Sequence, residues 1–400
     1  MEILCGGIGF PWRHIASEIG IRIIKERGSM LIRGKFAEAK VYNEDVEQYA
    51  VAQIQMLCDN EVANGSVIRV MPDVHPGKVG TIGLTMTVGK RIMPNLLGVD
   101  IGCGISMVKL KAKHLEFAQL DKVIKECVPS GFAVRNKPHL LAEEFPFSEL
   151  RCYRHINLEK AKASLGTLGG GNHFIEVDKD EDGNFYLTVH SGSRHLGVEV
   201  TDYYLWEGNK LLKKQGIKVD YPLTWLEDVL MQDYLADVAL VQQYAALNRQ
   251  IILQEIMKGA KLKGELFATS VHNYVENLDG TLLLRKGAIS AKAGEQVIIP
   301  VNMQEGIILG KGKGNKEWNE SAPHGSGRVI RRDKVKNHYT VSSFKKAMKD
   351  VYCSCIGADT LDEAPFAYRS GEKIMSMLAD TVDVEKVIKP VYSFKAGGKG

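Results

Sequence analysis

The sequence GVDIGCG at residues 98–104 constrains the fold more than any other stretch of the chain. Asp100 precedes Cys103 by three residues, and the flanking glycines let the backbone turn tightly enough for both side chains to reach one point. Burying an acid beside a thiol is costly unless a positive group lies between them, and a divalent cation meets that need. A glycine-rich turn with a core cysteine is the simpler interpretation, because free cysteine often packs as a small apolar residue.

Four histidines further along the chain favour the cation. Each adjoins a predicted strand and glycine or small polar residues, and they are His173, His190, His272 and His324. One such histidine is usually structural, but four of them with an acid and a thiol indicate a site for a divalent transition metal. The number of ligands predicts either two ions, which can clamp both oxygens of a phosphoryl transfer, or one ion and a catalytic histidine. Thiolate and imidazole favour zinc whereas carboxylate admits manganese, so the residue types leave the metal open.

The order of predicted elements favours an α+β fold. Helical periodicity appears at 44–62, with Asn43 as the expected N-cap, and at 224–258, while strands are predicted at 66–71, 81–88, 105–110 and 184–190. The strands lack regular βαβ spacing, so we expect mixed or antiparallel sheets flanked by helices. Residues 1–400 are predicted to form one domain, in which 111–165 and 200–260 are mainly helical peripheral segments.

Composition is typical of a soluble globular protein, with 44% hydrophobic and 25% charged residues among 400. The start, MEILCGGIGF, lacks a basic flank and a long apolar core, so we expect no signal peptide. No apolar run approaches the roughly 20 residues that span a bilayer, and the seven cysteines have no disulfide-framework spacing. The expected location is the reducing cytoplasm. The net charge of +4 does not by itself indicate a nucleic-acid partner.

Eight motifs resemble those of the RtcB family of GTP-dependent RNA ligases, in the family's order. They are MPDVHPG, GVDIGCG, GTLGGGNHFIEV, HSGSR, VHNYVE with RKGA, HGSGR, DEAPFAY and VYSFKAGG, and they extend from about residue 70 to the C-terminal end. Each motif alone is weak, whereas eight in order are specific. The resemblance implies the RtcB-like α+β fold, with the metal site in a central cleft.

The resemblance also implies a role for particular residues. The implied ligands of two Mn²⁺ ions are Asp100, Cys103 as a bridge, His173, His190 and His272. His324 would attack the α-phosphate of GTP, with Asp73 close to the reacting groups. The residues implied to bind the nucleotide are Asn172, Phe174, Glu176, Asn302, Gly325, Ser326, Gly327, Tyr368 and Lys395. Arg194 and Arg328 are expected to contact RNA phosphates, unless Arg328 instead pairs with an acid.

The implied reaction joins RNA 2′,3′-cyclic phosphate or 3′-phosphate ends to 5′-hydroxyl ends through a covalent histidine–GMP intermediate. The expected enzyme is a cytoplasmic monomer that repairs tRNA or rRNA. The alternative is a dinuclear-metal phosphodiesterase or phosphatase that acts on RNA ends without guanylylation and needs neither His324 nor Lys395. A non-catalytic RNA-binding protein is disfavoured, because it has no physical reason to keep six costly buried groups.

Four positions depart from the family pattern. Pro76 stands where the family usually has tryptophan, and Ser326 where alanine is common. Asn302 and Ile307 lie near the places of two serines that contact the nucleotide in many relatives. These departures predict changes in the nucleotide pocket and in the choice of RNA, and they indicate a divergent bacterial-type paralogue.

Overall fold

The computed structural model describes residues 22–26 and 28–397. Its strands are β1 Arg22–Glu26, β2 Ser29–Arg33, β3 Glu38–Val41, β4 Ile68–His75, β5 Ile82–Val88, β6 Arg91–Ile92, β7 Gly104–Leu110, β8 Phe174–Lys179, β9 Phe185–Ser191, β10 Leu226–Glu227, β11 Gly264–Val271, β12 Asn273–Leu278, β13 Thr281–Lys286, β14 Ala288–Ser290, β15 Gln296–Asn302, β16 Gly306–Gly312, β17 Ser321–Pro323 and β18 Val382–Phe394. Its helices are α1 Gln48–Cys58, α2 Pro94–Leu97, α3 Phe117–Cys127, α4 Leu140–Glu144, α5 Leu158–Ser164, α6 Arg194–Lys214, α7 Asp228–Gly259, α8 Val335–His338, α9 Val341–Ala347 and α10 Gly371–Met377. The segment MEILCGGIGF, for which we predicted no signal peptide, lies outside the described residues.

Two seven-stranded sheets form the framework. The first sheet has the strand order β1-β2-β3-β4-β5-β13-β12, and the second has β11-β7-β9-β8-β18-β16-β15. β3 and β4 are parallel, which makes the first sheet mixed, whereas the pairs of the second sheet are antiparallel. The predicted α+β class with mixed or antiparallel sheets is confirmed.

Two predicted elements have different bounds in the structure. α1 begins at Gln48 rather than at residue 44, because the Asn43 side chain accepts the backbone N–H of Asp45 and donates to the carbonyl of Pro72 instead of capping a helix. β4 extends to His75, beyond the predicted end at residue 71. Its pairing with β5 is interrupted between Val70 and His75, so the strand continues past an irregular stretch that the hydrophobic pattern does not reveal.

Helix α7 is central to the molecule. It contacts β7 and β9 of the second sheet and β12 of the first, and it contributes Tyr244 to one hydrophobic core and Ile252 to another. The prediction that 200–260 is a peripheral segment is therefore wrong for α7, although α6 and α7 do make the segment mainly helical. The periodicity predicts a helix but not how many neighbours will cover it. Within the described ranges, no helix combines the length and apolar character needed to cross a bilayer.

Candidate metal centre and nucleotide cavity

The predicted metal ligands come from one end of neighbouring strands in the second sheet. Gly104, next to Cys103, pairs with Val271 on one side and Ser191 on the other. His190 of β9 pairs in turn with Phe174 at the start of β8. Since His272 follows β11 and His173 precedes β8, this register gathers residues that are far apart in sequence along one sheet edge, listed here in spatial order as His272, Cys103, His190 and His173.

The five predicted ligands fall into two groups that share Cys103. The ligand atoms of Cys103, His190 and His272 lie within 4.8 Å of one another, and so do those of Asp100, Cys103 and His173. Cys103 Sγ is 3.4 Å from His173 Nε2 and 3.3 Å from His190 Nε2. A thiolate in this position can serve both groups, as the prediction of a bridging cysteine requires.

Backbone carbonyls determine which nitrogen of two histidines faces the centre. His173 Nδ1 lies 2.9 Å from the carbonyl oxygen of Leu168, and His190 Nδ1 lies 3.0 Å from that of Asn172. Because a carbonyl only accepts, each Nδ1 carries the proton and each Nε2 presents a lone pair towards Cys103. Carbonyl partners of this kind orient metal-binding histidines in proteins.

The electrostatics of these residues call for an added positive charge. Burial lowers the pKa of His190 and His272 well below the usual value, so both imidazoles are neutral, the form that binds metals. Burial opposes ionisation of Asp100, but a positive charge at the His173 ring, whose Nε2 lies 3.1 Å from Asp100 Oδ2, lowers the pKa of that carboxyl, and a bound cation can take the place of that charge. Burial and Asp100 together raise the pKa of the Cys103 thiol. This mixed donor set fits a divalent transition metal.

Helix α7 holds the Asp100–Cys103 turn in place. Gly102 has φ +72°, and a Cβ there would lie 2.8 Å from Ala245 Cβ and 2.9 Å from Gln242 Cα, so only glycine lets the turn approach the helix. The buried Arg249 guanidinium donates to the carbonyls of Gly102 and Ser191 at 2.8 and 3.0 Å. The helix thereby links the turn to the end of β9.

Asn248 of the same helix holds the glycine-rich segment that leads to His173. Its side-chain oxygen accepts the backbone N–H groups of Gly166 and Thr167 at 2.7 and 3.1 Å. Its amide nitrogen donates to the carbonyl of Gly192 at 3.1 Å. One buried amide therefore connects two of the loops that carry candidate metal ligands.

His324 lies beside the metal ligands and is paired with a buried acid. Its Nδ1 is 2.8 Å from Asp73 Oδ2, and Asp73 is fully buried. The ring centroids of His324 and His272 are 4.9 Å apart. When Asp73 accepts a hydrogen bond from the Nδ1–H group, Nε2 is left with its lone pair, which is the form a nucleophile needs.

A cavity of about 160 Å³ opens next to His324. Its lining includes every residue predicted to bind the nucleotide: Asn172, Phe174, Glu176, Asn302, Gly325, Ser326, Gly327, Tyr368 and Lys395. His190, His272 and His324 also line it, so the metal centre and the cavity are continuous.

Basic residues at one wall of this cavity surround a single buried acid, Glu363. Its carboxylate contacts Lys395 Nζ at 3.0 Å, Arg332 Nη2 at 2.6 Å and Arg328 Nη1 at 3.4 Å. It also accepts the hydroxyl of Tyr368 at 2.5 Å. Burial opposes its ionisation, but the three cations lower the pKa of Glu363 to about 2. Three positive groups around one carboxylate leave an excess of positive charge that suits a phosphate.

Two neighbouring acids on β8 lie at and behind the cavity lining. Glu176 of β8 is 3% exposed and lines the cavity, and Asp178 is fully buried. Burial raises the pKa of Glu176 to about 7 and that of Asp178 well above its usual value, and each is also affected by the other. Glu176 is therefore an acceptor whose charge changes near neutral pH.

The comparison with known proteins agrees with this arrangement. The family model for the tRNA-splicing ligase RtcB matches residues 60–150 and 146–396. The chain belongs to the RtcB family. It is similar to RNA-splicing ligase RtcB1 of Escherichia coli strain ATCC 25922, with 33% identity over 369 residues that cover 82% of this chain and 90% of that protein. RNA-splicing ligase RtcB of Escherichia coli K12 is 32% identical over the same shares of both chains. The tRNA-splicing ligase RtcB of Archaeoglobus fulgidus is 28% identical, covering 77% of this chain and 83% of that one. Membership confirms the resemblance and makes the chain a ligase enzyme.

The two arginines predicted to contact RNA occupy different places in this RtcB chain. Arg194 lies against the metal ligands, with Nη1 3.4 Å from His173 Nδ1 and Nε 3.3 Å from Thr167 Oγ1. Arg328 lines the cavity and also pairs with Glu363 and donates to the Tyr368 hydroxyl at 3.0 Å. Its structural partnership with an acid, which we left open, is therefore present.

The departures from the family pattern also have defined places. Asn302 lines the cavity, but its oxygen accepts the backbone N–H of Gln304 and Glu305 and its amide donates to the Glu305 side chain. The Ser326 hydroxyl donates to the carbonyl of Val301 at 2.6 Å. Ile307 is fully buried in β16 and does not line the cavity.

Sequence reasoning placed His75 at a strand end and Arg332 among the basic groups expected to meet RNA, but it did not predict that both line the cavity. It missed Glu363, which organises the basic wall. Asn248 and Arg249 position the ligand loops. The sequence signal for the last two is a pair of polar residues shortly before the apolar residues 251–253 of α7.

Proposed function

We propose that this chain is a GTP-dependent RNA ligase that joins 2′,3′-cyclic phosphate or 3′-phosphate ends to 5′-hydroxyl ends through a histidine–GMP intermediate on His324. The observation that carries the proposal is the position of His324. It lies in the nucleotide cavity, 2.8 Å from the buried Asp73 carboxylate and against the imidazole of His272. The chain's similarity to RNA-splicing and tRNA-splicing ligases supports RNA as the substrate.

Asp100, Cys103, His173, His190 and His272 are the residues that would hold two Mn²⁺ ions. Bound ions supply positive charge to phosphate oxygens, which lowers the cost of charge that builds up during transfer. The donor set fits such ions, and manganese is part of this proposal rather than a consequence of the donor types alone.

The protein's own groups define the first chemical step. Asp73 accepts a hydrogen bond from His324 Nδ1–H and so keeps the proton on that nitrogen, and His324 Nε2 can attack the α-phosphate of GTP. A nitrogen–phosphorus bond forms, the bond between the α-phosphate and the bridging oxygen breaks, and pyrophosphate leaves. The basic wall around Glu363 is suited to hold the phosphates, while the Glu176 carboxyl offers acceptors to the N–H groups of guanine.

In the second part of the proposed reaction, GMP passes from His324 to an RNA 3′-phosphate, which arises by hydrolysis when the end is a cyclic phosphate. A 5′-hydroxyl then attacks this phosphate, the new phosphodiester forms and GMP leaves. Repair of tRNA or rRNA and a cytoplasmic monomer complete the proposal. The cysteines of the described residues are free thiols, which supports a reducing compartment.

The guanylylation test uses the full chain with Mn²⁺ and GTP labelled at the α-phosphate. We expect label that stays with the denatured wild-type protein and with His139→Ala, a matched control at the start of α4, outside the site. His324→Ala should carry none. Label retained in His324→Ala refutes the assignment of the nucleophile.

A second assay identifies the overall reaction. A nicked RNA hairpin with 2′,3′-cyclic phosphate and 5′-hydroxyl ends is incubated with protein, Mn²⁺ and GTP. A sealed strand supports the ligase. Hydrolysis of the ends without sealing would favour the phosphodiesterase or phosphatase, and bare binding would favour a non-catalytic protein.

A further inference from the structure

Two cysteines outside the metal centre lie close together in the sequence YCSCIG. Cys353 Sγ and Cys355 Sγ are 3.2 Å apart, and both residues are partly exposed. The preceding residue fixes this segment to β18, because the backbone N–H of Tyr352 donates to the carbonyl of Val391 and its carbonyl accepts the N–H of Ser393. The two thiols are therefore held in contact by the fold.

Cys355 connects this pair to the nucleotide cavity. Its Sγ accepts the backbone N–H of Lys395 at 3.2 Å. The Lys395 ammonium lies 3.0 Å from Glu363 and 5.5 Å from the centre of the Phe174 ring. A change at the sulfur therefore acts directly on the residue that carries one of the cavity's cations.

We propose that Cys353 and Cys355 form a redox-active dithiol that a small-molecule disulfide of the glutathione type closes into an internal disulfide, and that closure weakens nucleotide binding through Lys395. The formation of the disulfide is inferred from the contact between the two thiols. Its effect on nucleotide binding rests on the proposed function of the cavity.

The chemistry of closure balances without any further reactant. The Cys355 thiolate attacks one sulfur of the small disulfide, forming a mixed disulfide and releasing one thiolate, which takes up a proton. Cys353 then loses its proton and attacks Cys355 Sγ, forming the internal disulfide and releasing the second small thiol. The two protein thiols lose two electrons, and the small disulfide gains them.

The surroundings favour Cys355 as the attacking group. A hydrogen bond from the Cys353 thiol and the N–H of Lys395 lower the pKa of Cys355, against the opposite effect of burial. The hydrogen bond with Cys355 and burial raise the pKa of Cys353, which suits it to act second. Cys58, Cys103 and Cys152 are buried, and Cys127 has no second thiol in contact within the described part of the chain.

Closure must move the sulfur that faces Lys395. A disulfide bond is about 2.05 Å long, so the two Sγ atoms have to approach each other by roughly 1.2 Å. Cys355 Sγ also becomes a disulfide sulfur bonded to Cys353 Sγ, which is a weaker acceptor for the Lys395 N–H. Both changes alter the position of the Lys395 backbone and hence of its ammonium group.

Thiol mapping tests the dithiol. The full chain is treated with oxidised glutathione, alkylated and examined by peptide mass spectrometry. We expect the wild type and Cys127→Ser to contain an internal Cys353–Cys355 disulfide without bound glutathione, and Cys353→Ser to retain glutathione on Cys355. Alkylation of both thiols in the treated wild type, stable glutathione on its Cys355, or pairing of Cys355 with another cysteine would overturn the proposal.

Binding of GMP tests the connection to the cavity, by calorimetry in the presence of Mn²⁺. The oxidised wild type should bind GMP roughly tenfold more weakly than the reduced protein, as expected for one displaced charge-assisted contact. Dithiothreitol should restore the affinity, and the Cys353→Ser/Cys355→Ser variant should not respond to the oxidant. Equal affinities of oxidised and reduced wild type would overturn the connection. Absence of GMP binding in both states would overturn it together with the proposed nucleotide site, whereas thiol mapping needs no nucleotide.

Discussion

Replacing Glu363 by glutamine should strongly destabilise the protein. Glu363 is 2% exposed, and its carboxylate lies between the cationic groups of Lys395, Arg328 and Arg332. Glutamine keeps the shape of the side chain but removes the negative charge. The variant therefore leaves three positive groups close together at a buried wall without their common partner.

The shift in the pKa of Glu363 gives the expected magnitude. These cations lower it from the usual 4.5 to about 2, and at about 1.4 kcal/mol per pH unit the ionised form gains roughly 3 kcal/mol on folding. Removing one partner of a buried ion pair costs a similar 3–5 kcal/mol in other proteins. Because the folded-state pKa is lowered, this stabilisation is complete above about pH 5 and is lost as the pH falls towards 2.

Urea unfolding at pH 7 measures the effect. We expect Glu363→Gln to lose roughly 3 kcal/mol, while the matched control Asp362→Asn, whose partly exposed carboxylate lies 3.3 Å from Arg332, should lose less than about 1 kcal/mol. Added inorganic phosphate should recover more stability in Glu363→Gln than in the wild type, since it can replace the missing charge. A loss below about 1 kcal/mol in Glu363→Gln would show that the cations do not depend on this carboxylate.

Four further predictions concern the site. Asp73→Asn should slow guanylylation of His324 by at least about 100-fold in a single-turnover assay, because the proton can then lie on Nε2, the attacking nitrogen, instead of on Nδ1. An unchanged rate would show that Asp73 has no part in the mechanism. Gly102→Ala should cost about 1–3 kcal/mol in urea unfolding, since its Cβ would lie 2.8 Å from Ala245, and a neutral result would mean that the turn can move away. Burial raises the pKa of Glu176 to about 7, so the wild type loses stability as the pH rises from about 4.5 through 7. The Glu176→Gln variant should therefore have a higher unfolding free energy than the wild type at pH 8 but not at pH 4. Equal unfolding free energies of the two proteins at both pH values would contradict the raised pKa. A chelator should lower the thermal midpoint of protein prepared with Mn²⁺, and re-added Mn²⁺ should restore it; an unchanged midpoint would contradict a metal held by the folded state.

That the candidate site residues lie together was easier to predict from sequence than the elements that support them. Candidate ligands such as His190 and His272 stand at strand ends beside small polar residues, so their residue type and local context already indicate chemistry. The irregular end of β4 and the late start of α1 depend on contacts of Pro72 and Asn43 that no local pattern encodes. Periodicity also placed α7 correctly as a helix but could not show that both sheets cover it.

Charge networks were the least predictable part. Glu363 meets Arg332 and Lys395 only through the tertiary fold, at separations of 31 and 32 residues along the chain. Composition counts these charges but does not pair them. The thiol contact between Cys353 and Cys355 was also not predictable, although only one residue separates them, because the sequence does not reveal whether the two side chains face each other.

The alignment of β11, β7, β9 and β8 has one more consequence. Side chains alternate between the two faces of a strand, so a slip of β9 by a single residue would turn His190 away from Cys103 and bring Val189 or Ser191 into its place. A chain that has paired its strands wrongly would thus lose its affinity for metal even with native-like secondary structure. Metal uptake during refolding can therefore distinguish correctly paired molecules from misaligned ones that circular dichroism would count as folded.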